Sequence, residues 1–331
     1  MDDNLYEVII ASEACIALFM NTSVFLLMHF KPKKYHNEYA TILKWARLPE
    51  IFITLMIWPV LNVRFAFPHM AGANRGLCRF GGVMLCNYLT VITLATVHYI
   101  ICPICVAYSM RFNIFVRKKH KYYRTRYEQV LHFYLWIVLP IAIVPPAYLY
   151  LLPEENKNFQ GLALEVYNKF SKDGFVLVVY DKKPSGLAFK MIWISIVSEI
   201  GNMIFAFFYK YLAMKKALKI AMKQCRFDTA HLIKSNIFKL RIILLLPISL
   251  AVIPILIPLI VVTSLPEHLF GDYLIWSGYL CLPMVLIFFM ASSINCIYQS
   301  YDFTNRNKTT VRNVGMSTAI IQNGSTNPII R

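Results

Sequence analysis

The chemistry this chain could do rests on a few charged and amide side chains set inside long apolar runs. Arg47 and Glu50 stand three residues apart within one run, a spacing that lets them pair on one helix face. Glu50 lies about twelve residues from the nearer end of that run, roughly 18 Å deep at ~1.5 Å per residue and so near a bilayer midplane. Asn21, Asn295, Ser292 and Ser293 fall at comparable depths. Together they read as a polar cluster that switches helix packing, with a cation as an optional member. The plainer alternative is a satisfied interhelical hydrogen-bond network. Glu13, His98, Glu199 and Asn202 are the other polar groups inside apolar runs, where each charge costs ~2.5–3.5 kcal/mol and needs a reason to be kept. Glu13 and Glu199 are candidates for ligand contact, and a lone His98 reads more simply as a hydrogen-bonded core residue. No set of His, Asp and Glu gathers at one depth as a membrane hydrolase would need. No His or Cys set offers three metal ligands. Cys102-Pro-Ile-Cys105 sits in an apolar run, where free cysteines act as small hydrophobes. The sequence calls for no cofactor and no metal.

Aromatic residues form a second group. Trp58, Tyr88, Tyr148, Trp193, Tyr273, Trp276 and Tyr279 fall in the same halves of their runs. Tyr148 and Tyr273, near run ends, suit an interfacial aromatic belt. Tyr88, Trp193, Trp276 and Tyr279 lie deeper and suit the walls of a pocket for a small organic ligand.

These residues need elements to hold them. Apolar residues make up 58% of the 331 and charged residues only 15%, against ~25% charged in an average soluble domain. The balance rules out an ordinary water-soluble globule and a disordered chain. The net charge of +17 does not imply nucleic-acid binding, because the bases sit in short gaps between apolar runs. Seven runs are long enough to cross a bilayer as helices: 6–30, 39–61, 79–108, 130–152, 187–212, 237–264 and 271–299. Prolines inside them, Pro59, Pro103 and Pro258 among them, are expected to kink helices rather than end them. The fold class is an all-α seven-helix membrane bundle over 1–304, with a polar cytoplasmic tail over 305–331 expected to be flexible. The acidic start, Met1-Asp2-Asp3, argues for a retained first span rather than a cleaved signal.

Alternate gaps hold 23 of the 34 basic residues. The positive-inside rule therefore predicts the N-terminus outside and the C-terminus in the cytosol, in the plasma membrane. The basic stretches 111–126, with Arg111, Arg117, Lys118 and Lys119, and 210–241, with Asp228, would face the cytosol. They suit a transducer surface or simple attraction to anionic lipid. Cys78 alone falls near the outer rim, with no cysteine in any outer loop to meet it, so the outer face is expected to need no disulfide.

Several pieces in order resemble one family. They are Lys31-Pro32-Lys33-Lys34, Trp58-Pro59, Phe67-Pro68, Ala71-Gly72, Gly76-Leu77, Tyr167-Asn168-Lys169-Phe170, Phe175-Val176-Leu177-Val178, the stretch with Thr229, Leu232 and Lys234, and Leu246-Pro247 with Pro254. The chain resembles the nematode serpentine seven-transmembrane chemoreceptors of the Str superfamily, most like class H, from about residue 25 to 302. The resemblance implies a G-protein-coupled receptor of the olfactory type, an unknown small-molecule ligand, a heterotrimeric G protein as partner and residence in sensory cilia. It implies no enzyme activity. It also places Arg111 where such receptors carry the arginine that meets the transducer. Ser109 and Met110 stand where an acidic residue often precedes that arginine, so a restraining carboxylate must come from another helix, Asp228 being the candidate. Span seven has no N-P-x-x-Y and no Lys, which excludes a retinal Schiff base. Two rivals remain. A ligand-gated cation channel of the insect odorant type would have its N-terminus inside, against the loop charges. A transporter would show internal repeats.

Overall fold

A computed structural model describes residues 3–30, 38–66, 70–120, 122–138, 140–142, 162–180, 207–220, 245–264 and 276–297, together with 201, 223, 238, 241, 242 and 273. Helix α1 runs Asp3–Phe30. Its residues Tyr6, Ile10, Ala14, Ala17, Asn21, Val24 and Met28 are buried, stepping by three and four as one face of a 3.6-residue helix must. Its other face exposes Leu5, Val8, Ile16, Phe19, Leu26, Leu27 and Phe30. An apolar stripe that large is a liability in water and ordinary against lipid. Three helices have the length and composition to cross a membrane among the described residues: Asn4–Phe30, Leu77–Val97 and Trp276–Ile297.

The second run forms α2, Glu38–Trp45, and α3, Arg47–Leu55, followed by a π-helical turn over Met56–Leu61. Helical angles fail at Trp58, just before Pro59, and the chain leaves through a left-handed Asn62. Pro59 thus kinks the run as expected, because the preceding residue is driven out of the helical region. By contrast Pro103 and Pro258 lie within continuous helices, α4, Gly82–Phe112, and α8, Ile253–Ser264. Helix α4 continues as a π-helical turn through Asn113–Arg117. Arg111 therefore sits inside the helical run rather than at its end. Helix α5, Arg126–Phe133, starts four residues ahead of the predicted span. Thr125 caps it, accepting from the Glu128 backbone N–H while the Glu128 side chain accepts from the Thr125 N–H. This reciprocal box satisfies two helix-end donors at once. Residues 207–220 form α7, so Lys215 and Lys216, expected in a loop, extend a helix. The last described helix is α9, Trp276–Ile297.

A small cap lies at one end. Three short strands, β1 Val63–Phe65, β2 Met70–Asn74 and β3 Val176–Tyr180, pair antiparallel in that order. Arg64 stands opposite Ala73, and Ala73 opposite Leu177. Helix α6, Leu162–Lys172, covers the sheet. Val166 and Phe170 bury themselves with Ala66, Ala71, Ala73, Phe175, Leu177 and Val179.

Cys78 is bonded to Cys86, eight residues on, which corrects the expectation of an outer face without a disulfide. The predicted span started at 79 and placed Cys86 well inside it. In the structure a 3₁₀ turn occupies Leu77–Gly81 and α4 begins only at Gly82. Cys86 is then one turn into the helix, and side chains there lean back toward the N-terminus, where Cys78 meets it. Both sulfurs pack with Leu61 and Val178, joining cap to bundle.

One large core joins α1, α3 and α9 through Tyr6, Ile10, Ile53, Ile57, Leu282, Leu286 and Phe289. Another joins α4 to α7 through Tyr108, Phe112, Phe207, Tyr211, Met214 and Leu218.

Candidate functional site

Three polar clusters stand along this bundle. The deepest lies on α1, α3 and α9. Arg47 Nη1 donates to Glu50 Oε2 at 2.7 Å and to Asn21 Oδ1 at 3.2 Å. Its Nη2 donates to Ser292 Oγ at 3.0 Å, and Ser292 Oγ in turn donates to Glu50 Oε1 at 3.1 Å. Ser293 Oγ donates to Asn21 Oδ1 at 2.8 Å, while Asn21 Nδ2 donates back to the Ala17 carbonyl. Arg47, Glu50, Asn21 and Ser293 are buried. The guanidinium stands where a free cation could have neutralised Glu50, so this carboxylate is balanced from within the chain. Asn295 lies half-buried two residues beyond Ser293 on α9. An arrangement with one charge pair and two hydroxyls, each both donor and acceptor, holds three helices in one register.

The second cluster lies under the cap. Arg64, on the buried side of β1, is 1% exposed. Its guanidinium is stacked 4.8 Å from the Tyr6 ring and 4.7 Å from the Phe175 ring. Its Nη2 donates to Glu7 Oε1 at 3.2 Å, and Arg75 Nη1 donates to the same oxygen at 2.8 Å. Tyr6 meets Tyr279 edge-on, ring centres 5.2 Å apart, and Lys169 Nζ on α6 donates to the Tyr279 hydroxyl at 3.4 Å. The cap is thus tied to α1 and α9 by charged side chains. Glu13 is half-buried on the same face of α1.

The third cluster lies at the other, basic end. Glu128 Oε2 accepts from Arg117 Nη1 at 2.7 Å, and Lys210 Nζ lies 3.4 Å from Glu128 Oε1. Lys210 also donates to Ser109 Oγ at 2.7 Å, and Arg117 to Asn113 Oδ1 at 3.0 Å. One carboxylate therefore joins α4, α5 and α7. Burial pushes the Glu128 carboxyl up, but the hydrogen bonds from Arg117 and the Thr125 N–H and the charge of Lys210 outweigh it, holding the group at about 2. It stays ionised at any physiological pH.

Tyr279 is buried beside Tyr6, where a pocket wall was expected. Tyr88 is 57% exposed and Trp276 54% exposed; both face outward, as an interfacial belt does. Arg111 is half-buried, while Lys118 and Lys119 are exposed. Trp193, Glu199, Asn202 and Asp228 lie outside the described residues, as does the side chain of His98. The sequence reading missed Glu7, Arg64 and Glu128. For Glu128 a signal existed: Thr125-x-x-Glu128 ahead of an apolar run is a capping-box pattern. For Arg64 no local signal existed, because its partners are Tyr6 and Glu7 on α1 and Phe175, just ahead of β3.

The model of the family described as serpentine type 7TM GPCR chemoreceptor Srh matches residues 2–268. No curated protein matches the chain.

Proposed function

From the chain's place in the Srh family of serpentine seven-transmembrane GPCR chemoreceptors, to which it belongs, we infer that it binds a small molecule beneath the cap and signals through a heterotrimeric G protein. It is a multi-pass membrane receptor of a chemoreceptor family. The finer reading places the N-terminus and the cap outside, the basic end in the cytosol, and the receptor in sensory cilia.

The family match carries this reading, and the three clusters supply a route for it. Ligand seated near Tyr6 and Tyr279 bears on α1 and α9. Those two helices, with α3, share the Asn21–Arg47–Glu50–Ser292–Ser293 network. That network has a discrete set of hydrogen bonds, so a shift of α9 against α1 replaces one arrangement by another. A ligand that favours the second arrangement draws the population toward it. At the basic end the Glu128 carboxylate restrains α4 and α7. Its release opens a surface bearing Arg111, Arg117, Lys118 and Lys119 to the transducer.

The experiment is expression of the full chain in a reporter cell with a panel of volatile and water-soluble small molecules. Cyclic AMP, cyclic GMP and calcium are read with and without Gα. A response that needs Gα is the expected result. A current that persists without Gα would overturn the reading in favour of a channel.

A further inference from the structure

Three of the interior carboxylates among the described residues meet a base, and one does not. Glu7 accepts from Arg64 and Arg75, Glu50 from Arg47, and Glu128 from Arg117 with Lys210 beside it. Glu13 makes no hydrogen bond or ion pair among the described residues, and its Oε2 is shut off from solvent. It shares its face of α1 with Tyr6, Ile10, Ala14 and Ala17. Tyr6, seven residues toward the cap, is wholly buried, and its hydroxyl is likewise enclosed without a partner. Seven residues span about 10 Å of helix and return to the same face, and the Tyr6 ring meets Tyr279 edge-on with centres 5.2 Å apart.

An enclosed carboxylate oxygen has given up its water and gained nothing in return. Among the described residues the chain supplies a counter-ion to the other three carboxylates and none here. We propose that the missing counter-ion is the ligand: Glu13 and Tyr6 form the anchoring subsite for a small amine. The protonated nitrogen pairs with the Glu13 carboxylate, and the carbon skeleton runs along α1 toward the Tyr6 hydroxyl. A neutral alcohol would answer the hydrogen bond but leave the charge unbalanced, and a carboxylic acid would add a like charge. Aromatic faces favour a cation as well. Arg64 already occupies the cap side of the Tyr6 ring and, with Arg75, shares Glu7. A ligand cation is therefore directed past the cap toward Glu13. This assignment deepens the receptor reading and rests on it.

The test uses the full-length receptor in lipid nanodiscs and in the reporter cell. The probes are phenethylamine and isopentylamine, each against the alcohol and the carboxylic acid of matching skeleton. Amines should raise the melting midpoint and activate, whereas the alcohols and acids do neither. Glu13→Gln, which keeps the shape and removes the charge, should weaken amine potency roughly tenfold or more. Glu13→Asp should retain part of the response, and Tyr6→Phe should weaken it less than Glu13→Gln. The ligand-free melting midpoint of each variant separates lost binding from lost folding. An amine response equal in wild type and Glu13→Gln overturns the proposal, because Glu13 then carries none of the ligand binding. So does binding of the alcohols or acids in place of the amines, or no shift with any probe. Amine binding without a signal through any Gα would instead overturn the receptor reading and leave the subsite standing.

Discussion

Arg47 and Glu50 make the sharpest statement a single pair can make here. Both are buried and bonded at 2.7 Å, and removing one partner of such a pair strands the other charge at ~3–5 kcal/mol. Arg47→Ala is therefore expected to reduce surface level more than Arg47→Ala combined with Glu50→Gln. Surface staining of both variants checks it, and strictly additive losses would deny the coupling. This pair was legible in the sequence because both residues lie one turn apart on one run. Their partners Asn21, Ser292 and Ser293 were legible as depths, since each could be counted from a span end. Glu128 is the residue the sequence reading passed over, being one acid in a basic stretch. Its carboxyl is held at about 2, below its ordinary value. The stabilisation it contributes is thus complete above its ordinary range, near 4.5, and is lost only as pH falls toward 2. Acidification within the physiological range will not release it. Glu128→Gln will, and that variant is expected to raise ligand-free signalling at normal surface level. A basal signal equal to wild type would mean the cluster holds structure alone. Arg111→Ala is expected to abolish signalling at normal surface level, and a wild-type response would reduce Arg111 to a topology charge.

At the scale of elements, the cap is what helix counting could not foresee. Its strands are three to five residues long, and their pairing joins residues 70–74 to 176–180, a separation no local pattern reports. The cap is fastened by a close approach at Gly76. A Cβ there would lie 2.5 Å from the carbonyl oxygens of Pro59 and Val60 and 2.7 Å from the Leu61 carbonyl carbon. Those are backbone atoms and cannot rotate aside. Gly76→Ala is expected to cost ~1–3 kcal/mol, as overpacking does, and to lower the melting midpoint of the detergent-solubilised receptor. The Cys78–Cys86 bridge closes a loop of eight residues, worth ~2.5 kcal/mol on the chain-entropy account. Peptide mapping under non-reducing conditions should find the two cysteines linked, and Cys86→Ser should fall in surface level together with Cys78→Ser. The outward turn of Tyr88 was illegible for another reason. Helix α4 is apolar on all sides, so its sequence fixes depth and leaves the direction of each side chain to the packing around it.

For the whole molecule, the alternation of basic gaps is the one signal that spans the chain. It predicts an N-terminal epitope tag stained on intact cells and a C-terminal tag stained only after permeabilisation. The reverse pattern, or glycosylation at the tail's two N-x-S/T sequons, Asn307-Lys308-Thr309 and Asn323-Gly324-Ser325, would invert the bundle and revive the channel. Length carries a further consequence. Helix α4 has 31 residues, about 46 Å at ~1.5 Å per residue, against a hydrocarbon core of ~30 Å. Its excess must tilt or stand in the headgroups, at a cost of fractions of a kcal/mol per ångström of mismatch. Tilting swings the Arg117 end sideways relative to Glu128 and Lys210. Acyl-chain length thereby becomes an input to the same contacts whose release we propose a ligand brings about, and a thicker bilayer holds the helix more upright than a thinner one.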